Sequence, residues 1–145
     1  MRKKRPEGKR LELKLDRVFS ELVRRRSGGV CAMWKIKPDT CKSPHNDWKY
    51  GMDCSHTAYG RRRKSLRYDF DNCDALCKGC HRKVEESALL AHEFKYEQLG
   101  SEGIRRLTTK SNLLVKRTVD DKKELLSYLQ KELDLEGEND FNYGE

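Results

Sequence analysis

The sequence predicts an α+β fold in which a small core of two strands and one helix lies between an N-terminal and a C-terminal helix. Apolar residues recur at helical spacing from Leu11 to Leu22, whereas residues 48–58 and 66–70 have the character of strands. Only 35% of the 145 residues are hydrophobic and 39% are charged. A large apolar core is therefore excluded, and a chain this polar needs a covalent or metal staple, or a partner.

Composition and periodicity divide the chain into five segments. They are a basic disordered arm (1–10), an N-terminal helix (11–29), a core (30–100), a C-terminal helical extension (101–135) and an acidic disordered tail (136–145). Gly28 and Gly29 end the first helix, and Thr118-x-x-Asp121 is a capping-box start for the last one. Within the core we predict strands at Trp48–Ala58 and Leu66–Phe70, an Asp71-Asn72 turn, and a helix from near Cys80 to Leu99, with Gly100 as its stop.

The balance of charge favours a polyanionic partner. The formal net charge is +8, and DNA or RNA fits it better than an acidic membrane surface does. No apolar run is long enough to span a bilayer, and the basic residues 1–10 lead into no signal-peptide core. We therefore expect an intracellular, cytoplasmic protein, in which six cysteines indicate metal ligation more than disulfides.

The cysteine spacing predicts a structural zinc site. Cys77-Lys-Gly-Cys80 has the two-residue spacing that lets two thiolates reach one Zn²⁺ ion. Cys31 and Cys41 are the best candidates for the other two ligands, although His45 or Cys54 could replace one of them. The alternative is that the cysteines are unligated buried residues, which is how we interpret Cys73.

Two histidines and an asparagine surround this zinc motif in an order that suits phosphodiester hydrolysis. A neutral His56 on a strand can take a proton from water, and His81, directly after the second thiol, can hold a catalytic metal. Asn72 would bridge backbone groups and orient the His56 strand. A basic cluster follows His56 and would grip phosphates; it includes Arg61, Arg62, Arg63 and Arg67. A purely solvated basic face is the alternative for these arginines.

His56, Asn72 and Cys77-x-x-Cys80-His81 together resemble the HNH endonucleases in which two cysteine pairs hold a structural zinc. The chain is more closely similar to phage recombination endonucleases of the NinG/Rap type, with likeness over most of residues 11–133. This resemblance implies a ββα-metal nuclease, encoded by a phage and acting in the bacterial host. It also implies a homodimer that cuts branched recombination intermediates such as Holliday junctions and D-loops.

Three departures from the pattern bear on the site. Many HNH enzymes have an aspartate or histidine metal ligand directly before the catalytic histidine, where this chain has Ser55. Asp53, two residues earlier on the same strand face, is our candidate for that carboxylate. The NinG/Rap type has asparagine where His81 stands, and the Cys31–Cys41 separation is wider than usual. A histidine, a carboxylate and phosphate oxygens suit Mg²⁺ or Mn²⁺ as the catalytic metal, with Zn²⁺ as an alternative.

Two other functions are compatible with the same motifs. One is an HNH nicking or packaging-type endonuclease that acts on duplex DNA. The other is a non-catalytic zinc-finger DNA-binding protein, in which His81 would be a zinc ligand and His56 would have no chemical role.

Overall fold

The computed structural model describes residues 2–142, with side chains up to residue 138. Within that range it is α+β, as predicted, with five α-helices and one two-stranded antiparallel sheet. The elements are α1 (Glu7–Arg26), α2 (Ala32–Ile36), β1 (Met52–His56), β2 (Cys73–Cys77), α3 (Lys78–Glu86), α4 (Ala88–Ser111) and α5 (Val119–Asn142). The described residues form two compact units, one of residues 23–115 and one of residues 2–22 with 116–142.

The sheet of the 23–115 unit pairs β1 with β2 from Met52 opposite Cys77 to His56 opposite Cys73. Residues 57–72 connect the strands and include a short 3-10 helix, Lys64–Leu66. The chain passes from β2 into α3 without a loop, because Cys77 ends the strand and also caps the helix. β1, β2 and α3 therefore follow one another along the chain, with the 57–72 connection between the two strands.

The predicted second strand at Leu66–Phe70 is wrong. These residues form the end of the 3-10 helix and a turn, and the strand that pairs with β1 is Cys73–Cys77. Every residue of β2 is buried. A strand buried on both faces has no two-residue polar alternation, so the pattern used to find strands was absent from β2.

The predicted helix from Cys80 to Leu99 is two helices. Ser87 is in an extended conformation (φ −131°, ψ 102°) between α3 and α4, and its Oγ accepts a hydrogen bond from Leu90 N at 3.1 Å as an N-cap. Gly100 interrupts the helix, as predicted: its φ of 70° and ψ of 177° are not helical, and only glycine adopts this conformation readily, so two helical segments of α4 meet there at a kink. The second segment therefore begins at the expected boundary between residues 100 and 101 and continues to Ser111.

A buried ion pair lies in the interior of the 23–115 unit. Lys95 Nζ donates to Asp74 Oδ2 at 2.9 Å and to Gln98 Oε1 at 2.7 Å, and Gln98 Nε2 donates to Asp74 Oδ1 at 2.7 Å. Lys95 and Asp74 are 1% and 4% exposed. Because each charge has a charged and a neutral partner, the cost of removing the pair from water is offset. The three hydrogen bonds among Lys95, Gln98 and Asp74 link α4 to β2.

The other unit combines residues 2–22, which include most of α1, with the C-terminal helix α5. Lys122 Nζ donates to Gly8 O at 3.2 Å and pairs with Glu12 at 3.5 Å. The capping box of α5 is confirmed, since Asp121 N donates to Thr118 Oγ1 at 3.1 Å and Thr118 N to Asp121 Oδ2 at 2.9 Å.

Both ends of this unit contain more helix than predicted. The basic arm (1–10) becomes helical at Glu7, because the Pro6 carbonyl accepts the Lys9 and Arg10 N–H groups and an acidic residue suits the first turn. The acidic tail (136–145) is helical as far as Asn142, and the remainder of that prediction lies outside the described residues. Helix α1 ends at Arg26, before the predicted glycine stop, with Gly28 at φ 61° and Gly29 at φ 83°.

No helix among residues 2–142 combines the length and apolar character that a membrane crossing requires.

Candidate metal centre and active-site cavity

Four buried cysteines of the 23–115 unit form one cluster. The Sγ atoms of Cys31, Cys41, Cys77 and Cys80 all lie within 4.8 Å of one another. Within the part of the chain that the structure describes, this is the one group of three or more His, Cys, Asp or Glu side chains whose ligand atoms are that close. The four cysteines predicted as zinc ligands are therefore brought together, and they could bind a structural metal such as zinc.

The wide spacing between Cys31 and Cys41 is accommodated by a closed loop. Val30 and His45 form a β-bridge, Cys31 N donates to Pro44 O at 2.9 Å, and Asn46 N donates to Gly29 O at 2.8 Å. A Cβ on Gly29 would lie 2.1 Å from Asn46 O, so the chain can close here only with glycine. The closure brings the two ends of the loop together and positions both cysteines.

One sulfur–sulfur distance in the cluster matches tetrahedral ligation. Zn–S bonds of about 2.3 Å in a tetrahedron place the sulfurs about 3.8 Å apart, and Cys41 Sγ lies 3.9 Å from Cys77 Sγ. Backbone N–H groups also point at the sulfurs, from Cys77 to Cys31 Sγ at 3.3 Å and from Cys80 to Cys77 Sγ at 3.5 Å. Such donors stabilise thiolates, which is the protonation state that a metal needs.

The electrostatics of the cluster require a cation if all four sulfurs are to be ionised. Burial raises the pKa of Cys31 to about 11, and burial also raises the pKa of Cys80. For Cys77, burial acts in the same direction, but the Cys80 N–H and the neighbouring thiols outweigh it and lower the pKa. Metal binding to this cluster would therefore release protons and would be coupled to folding.

The alternatives to this cysteine set are outside the cluster. His45 is exposed, with its ring 5.5 Å from that of Trp34. Cys54 and Cys73 lie on the sheet, where Cys54 is opposite Ala75 and Cys73 is opposite His56. Cys73 is buried, as predicted.

A separate cavity of about 390 Å³ opens between the sheet and α3. It is lined by residues of β1, of the strand connection and of α3, among them Ser55, His56, Arg61, His81 and Glu85. The two histidines predicted to converge thus line one cavity, and His81 directly follows Cys80 of the thiol cluster. The cluster holds the start of α3, so it also sets the direction of the His81 side chain.

The protonation of His56 is set by the backbone. His56 Nε2 lies 2.9 Å from the carbonyl oxygen of Arg67. Because a carbonyl can only accept, Nε2 carries the proton in the neutral ring and Nδ1 carries the lone pair. Asn72 holds the same connection, since its Nδ2 donates to Tyr59 O at 2.8 Å and to Leu66 O at 3.1 Å. Its predicted role as a bridge between backbone groups is present.

Asp53 is adjacent to His81 but not to the cavity. Its Oδ2 lies 2.9 Å from His81 Nδ1, its Oδ1 is hydrogen-bonded to Lys78 Nζ, and Asp53 is not among the residues that line the cavity. Burial raises the pKa of Asp53, but hydrogen bonds and charge from Lys78 and His81 outweigh burial and hold it below its ordinary value of 3.8. Asp53 is therefore an ionised acceptor for the His81 ring.

The predicted phosphate-binding arginines occupy different environments. Arg61 lines the cavity, and Arg61, Arg62 and Arg63 are exposed. The Arg63 guanidinium lies over the Tyr59 ring at 5.7 Å. Arg67 is half-buried over Tyr68 and contributes its carbonyl to His56. Arg61 is therefore the arginine of this set that is best placed to meet a phosphate in the cavity.

Sequence reasoning missed Glu85. Its Oε1 lies 3.1 Å from His81 Nε2, and both residues line the cavity. A signal was present, because residues four apart on a helix share a face and Glu85 is four residues after His81. The carboxylate expected from the sequence was Asp53, on the strand that carries His56.

Comparison of the chain with protein-family models, with curated proteins and with solved structures gave no match.

Proposed function

We propose that this chain is a metal-dependent endonuclease of the HNH (ββα-metal) type, which hydrolyses phosphodiester bonds in DNA. The observation that carries the proposal is that His56 and His81, on different elements, line one cavity together with Arg61. A base, a metal-ligating imidazole and a phosphate-binding guanidinium are the groups that this hydrolysis requires.

His56 is the proposed general base. With its proton on Nε2, donated to the Arg67 carbonyl, the ring can take a proton from water at Nδ1. The hydrogen bond also keeps the ring in one orientation and one tautomer. Asn72 stabilises this arrangement by donating hydrogen bonds to the carbonyls of Tyr59 and Leu66 in the connection between β1 and β2.

His81 is the proposed ligand of the catalytic cation. Mg²⁺ or Mn²⁺ bound there would supply positive charge to the phosphorane and to the leaving 3′ oxygen. Imidazole and carboxylate donors beside an open cavity suit these ions. Arg61 would bind a non-bridging phosphate oxygen, and the net charge of +8 would attract the DNA.

A non-catalytic zinc-finger protein is the less well supported alternative. That function would use His81 as a zinc ligand. Four thiols would be enough to complete a tetrahedral zinc site, and His81 lies outside the cluster, with its two ring nitrogens beside Asp53 and Glu85. This geometry supports a different role for His81.

The sequence resemblance extends the proposal to the substrate and to the assembly. It supports branched recombination intermediates over linear duplex, and a homodimer in which two such cavities act on one junction. An HNH nicking or packaging-type enzyme would have the same cavity, so substrate comparison is needed to separate the two.

The first test is cleavage of plasmid DNA by the purified chain with Mg²⁺ or Mn²⁺. His56→Ala should reduce the cleavage rate about 100-fold or more, since a positioned general base contributes at least that factor. DNA binding in a mobility-shift assay should be unchanged. His92→Ala is the matched control, because His92 is exposed on α4 and does not line the His56 cavity. If the His56 variant cuts as well as the parent, the proposal is wrong.

The second test compares a four-way junction with the linear duplex of the same sequence. Faster cleavage of the junction supports a recombination endonuclease. Equal rates would refute the preference for branched DNA but would not contradict the endonuclease function.

A further inference from the structure

The imidazole of His81 lies between two carboxylates, one at each ring nitrogen. Asp53 Oδ2 is 2.9 Å from Nδ1, and Glu85 Oε1 is 3.1 Å from Nε2. The lone-pair directions of the two nitrogens diverge, so one cation can bind only one of them. The two carboxylates therefore cannot both share a cation with His81 in this arrangement.

The cavity distinguishes the two nitrogens. His81 and Glu85 line it together with His56, whereas Asp53 does not. Asp53 also pairs with Lys78, so its charge is already partly compensated by an ammonium group. The nitrogen that faces the proposed chemistry is the one beside Glu85.

The distance on the cavity side fits two ligands of one ion. Donors about 2.1 Å from a divalent cation and at right angles to each other lie about 3.0 Å apart. The measured separation of His81 Nε2 and Glu85 Oε1 is 3.1 Å. Glu85 also shares a helix face with His81, which keeps the two donors together.

On the other side, Asp53 has the geometry of a carboxylate that orients a metal-binding histidine. An ionised carboxylate accepts the Nδ1 proton, which leaves the Nε2 lone pair directed at the cavity. The ordinary consequence of such a contact is a fixed tautomer and a fixed ring orientation.

We infer that Glu85 is the carboxylate ligand of the divalent cation beside His81 Nε2, and that Asp53 is a positioning residue that fixes the His81 tautomer. This inference rests on the proposed function and revises its sequence-based ligand set, in which Asp53 was the carboxylate ligand. The substitution of Ser55 for the usual ligand on the strand is then compensated from α3, one turn after His81.

The test measures Mn²⁺ binding by electron paramagnetic resonance in the full-length, zinc-loaded chain. Zinc in the thiolate cluster prevents Mn²⁺ from binding there, because thiolates prefer the softer ion. Glu85→Gln should weaken Mn²⁺ binding about tenfold or more. Glu86→Gln, the same change on the adjacent exposed residue, should leave binding unchanged.

A second readout separates the positioning role of Asp53 from a ligand role. In ¹⁵N NMR spectra, the neutral parent should show His81 protonated at Nδ1, and Asp53→Asn should give a mixture of tautomers with a smaller loss of Mn²⁺ affinity than Glu85→Gln. Asp53→Glu should restore the single tautomer. Circular dichroism and zinc content confirm that each variant is folded.

The outcomes separate this inference from the proposed function. If the parent cuts DNA but Glu85→Gln binds Mn²⁺ as tightly as the parent does, Glu85 is not the ligand, and the proposed endonuclease function is unaffected. If Asp53→Asn abolishes binding and Glu85→Gln does not, Asp53 is the ligand. A parent that binds Mn²⁺ through Glu85 but does not cut DNA would refute the endonuclease and leave the cation site. A parent that binds no Mn²⁺ overturns the inference.

Discussion

Asn72 fixes the conformation of the connection between the two strands. Its side chain is fully buried, and its amide accepts from Tyr59 N at 2.8 Å while donating to two carbonyls. Its own carbonyl accepts from Thr57 N at 3.0 Å. Thr57 follows His56 directly, so this backbone hydrogen bond from Thr57 links Asn72 to the residue beside the proposed base.

Removing this amide should destabilise the chain. We expect Asn72→Ala to lower the free energy of unfolding by about 2–4 kcal/mol, because three hydrogen bonds of a buried side chain are lost and the N–H and C=O groups of Tyr59 both lose their Asn72 partner. Urea unfolding of the zinc-loaded protein measures the change. Asn72→Asp keeps the shape but replaces two donors with acceptors, so it should be at least as damaging. A change below about 0.5 kcal/mol in both variants would contradict this role.

Single residues were predictable where a motif fixes their order. His56, Asn72 and His81 were found from spacing to the CxxC pair, and the two histidines do line one cavity. The neighbours of His81 were not predictable in the same way. Asp53 and Glu85 are at equivalent hydrogen-bond distances from the ring, and only the three-dimensional position of the cavity distinguishes them.

Among the elements, α4 is joined to the strand connection by Asp69. This carboxylate is 8% exposed and lies 2.6 Å from Lys110 Nζ and 3.5 Å from Arg106. It also accepts from Asp71 N at 2.9 Å. Burial raises the pKa of Asp69, but these hydrogen bonds and charges outweigh it and hold the pKa below its ordinary value of 3.8.

The depressed pKa makes part of the stability depend on pH. The unfolded chain binds a proton at Asp69 at higher pH than the folded chain does, so the contribution is complete above about pH 4 and is lost as pH falls through the folded pKa. We expect the parent to lose more unfolding free energy than Asp69→Asn between about pH 5 and about pH 3. Urea titrations at several pH values measure both slopes.

The comparison with the variant controls for acid release of metal. Protonation of the thiols weakens metal binding in both proteins, so the difference between their slopes reports on Asp69. Equal slopes would show that the Lys110 contact does not stabilise the folded chain.

Elements were predictable where one face is apolar and the other is polar. The stripe from Leu11 to Leu22 gave α1, and the capping box gave the start of α5. The alternation at 66–70 was misleading, because Asp69 in that run is buried against α4 and not exposed as on a strand face. The break at Ser87 was missed because a serine cap follows a helix there without a glycine or proline.

At the scale of the whole molecule, the cysteine cluster joins the loop after α1 to the junction of β2 and α3. Its four cysteines come from two stretches of chain that are far apart in sequence, Cys31–Cys41 and Cys77–Cys80. Closing a large loop with a metal constrains the unfolded chain and gives a small core a second source of stability. This arrangement matches the low hydrophobic content, 35%.

Loss of the metal should therefore unfold the 23–115 unit. Apparent binding free energies of structural zinc, about 10–16 kcal/mol, are as large as the total stability of an ordinary domain. A strong chelator or Cys77→Ser should remove zinc and abolish the cooperative thermal transition, observed by circular dichroism with zinc content measured in parallel. Cys54→Ser, outside the cluster, should keep both. An unchanged transition after zinc removal would refute a stabilising role for the cluster.

The fold class of the molecule was predicted from the sequence, but its division into two compact units was not. The α+β class and the cysteine set followed from periodicity and spacing. The boundaries between the two units, near residues 22 and 116, did not. Helix α1 continues through the first without a change in composition, and the second lies in the segment between α4 and α5, not at the predicted boundary after residue 100. A helix that passes through a boundary gives no local signal of it.

His81 follows Cys80 directly, so the spacing between the thiol cluster and the imidazole matters as well as the residue types. Each residue advances a helix by about 100°. One residue inserted between these two positions would leave all four thiols in the chain, yet it would turn the imidazole roughly a quarter of a revolution away from His56. A substitution among the side chains that line the cavity would change one group at a time, whereas a change in the number of residues between Cys80 and His81 would reorient the imidazole itself.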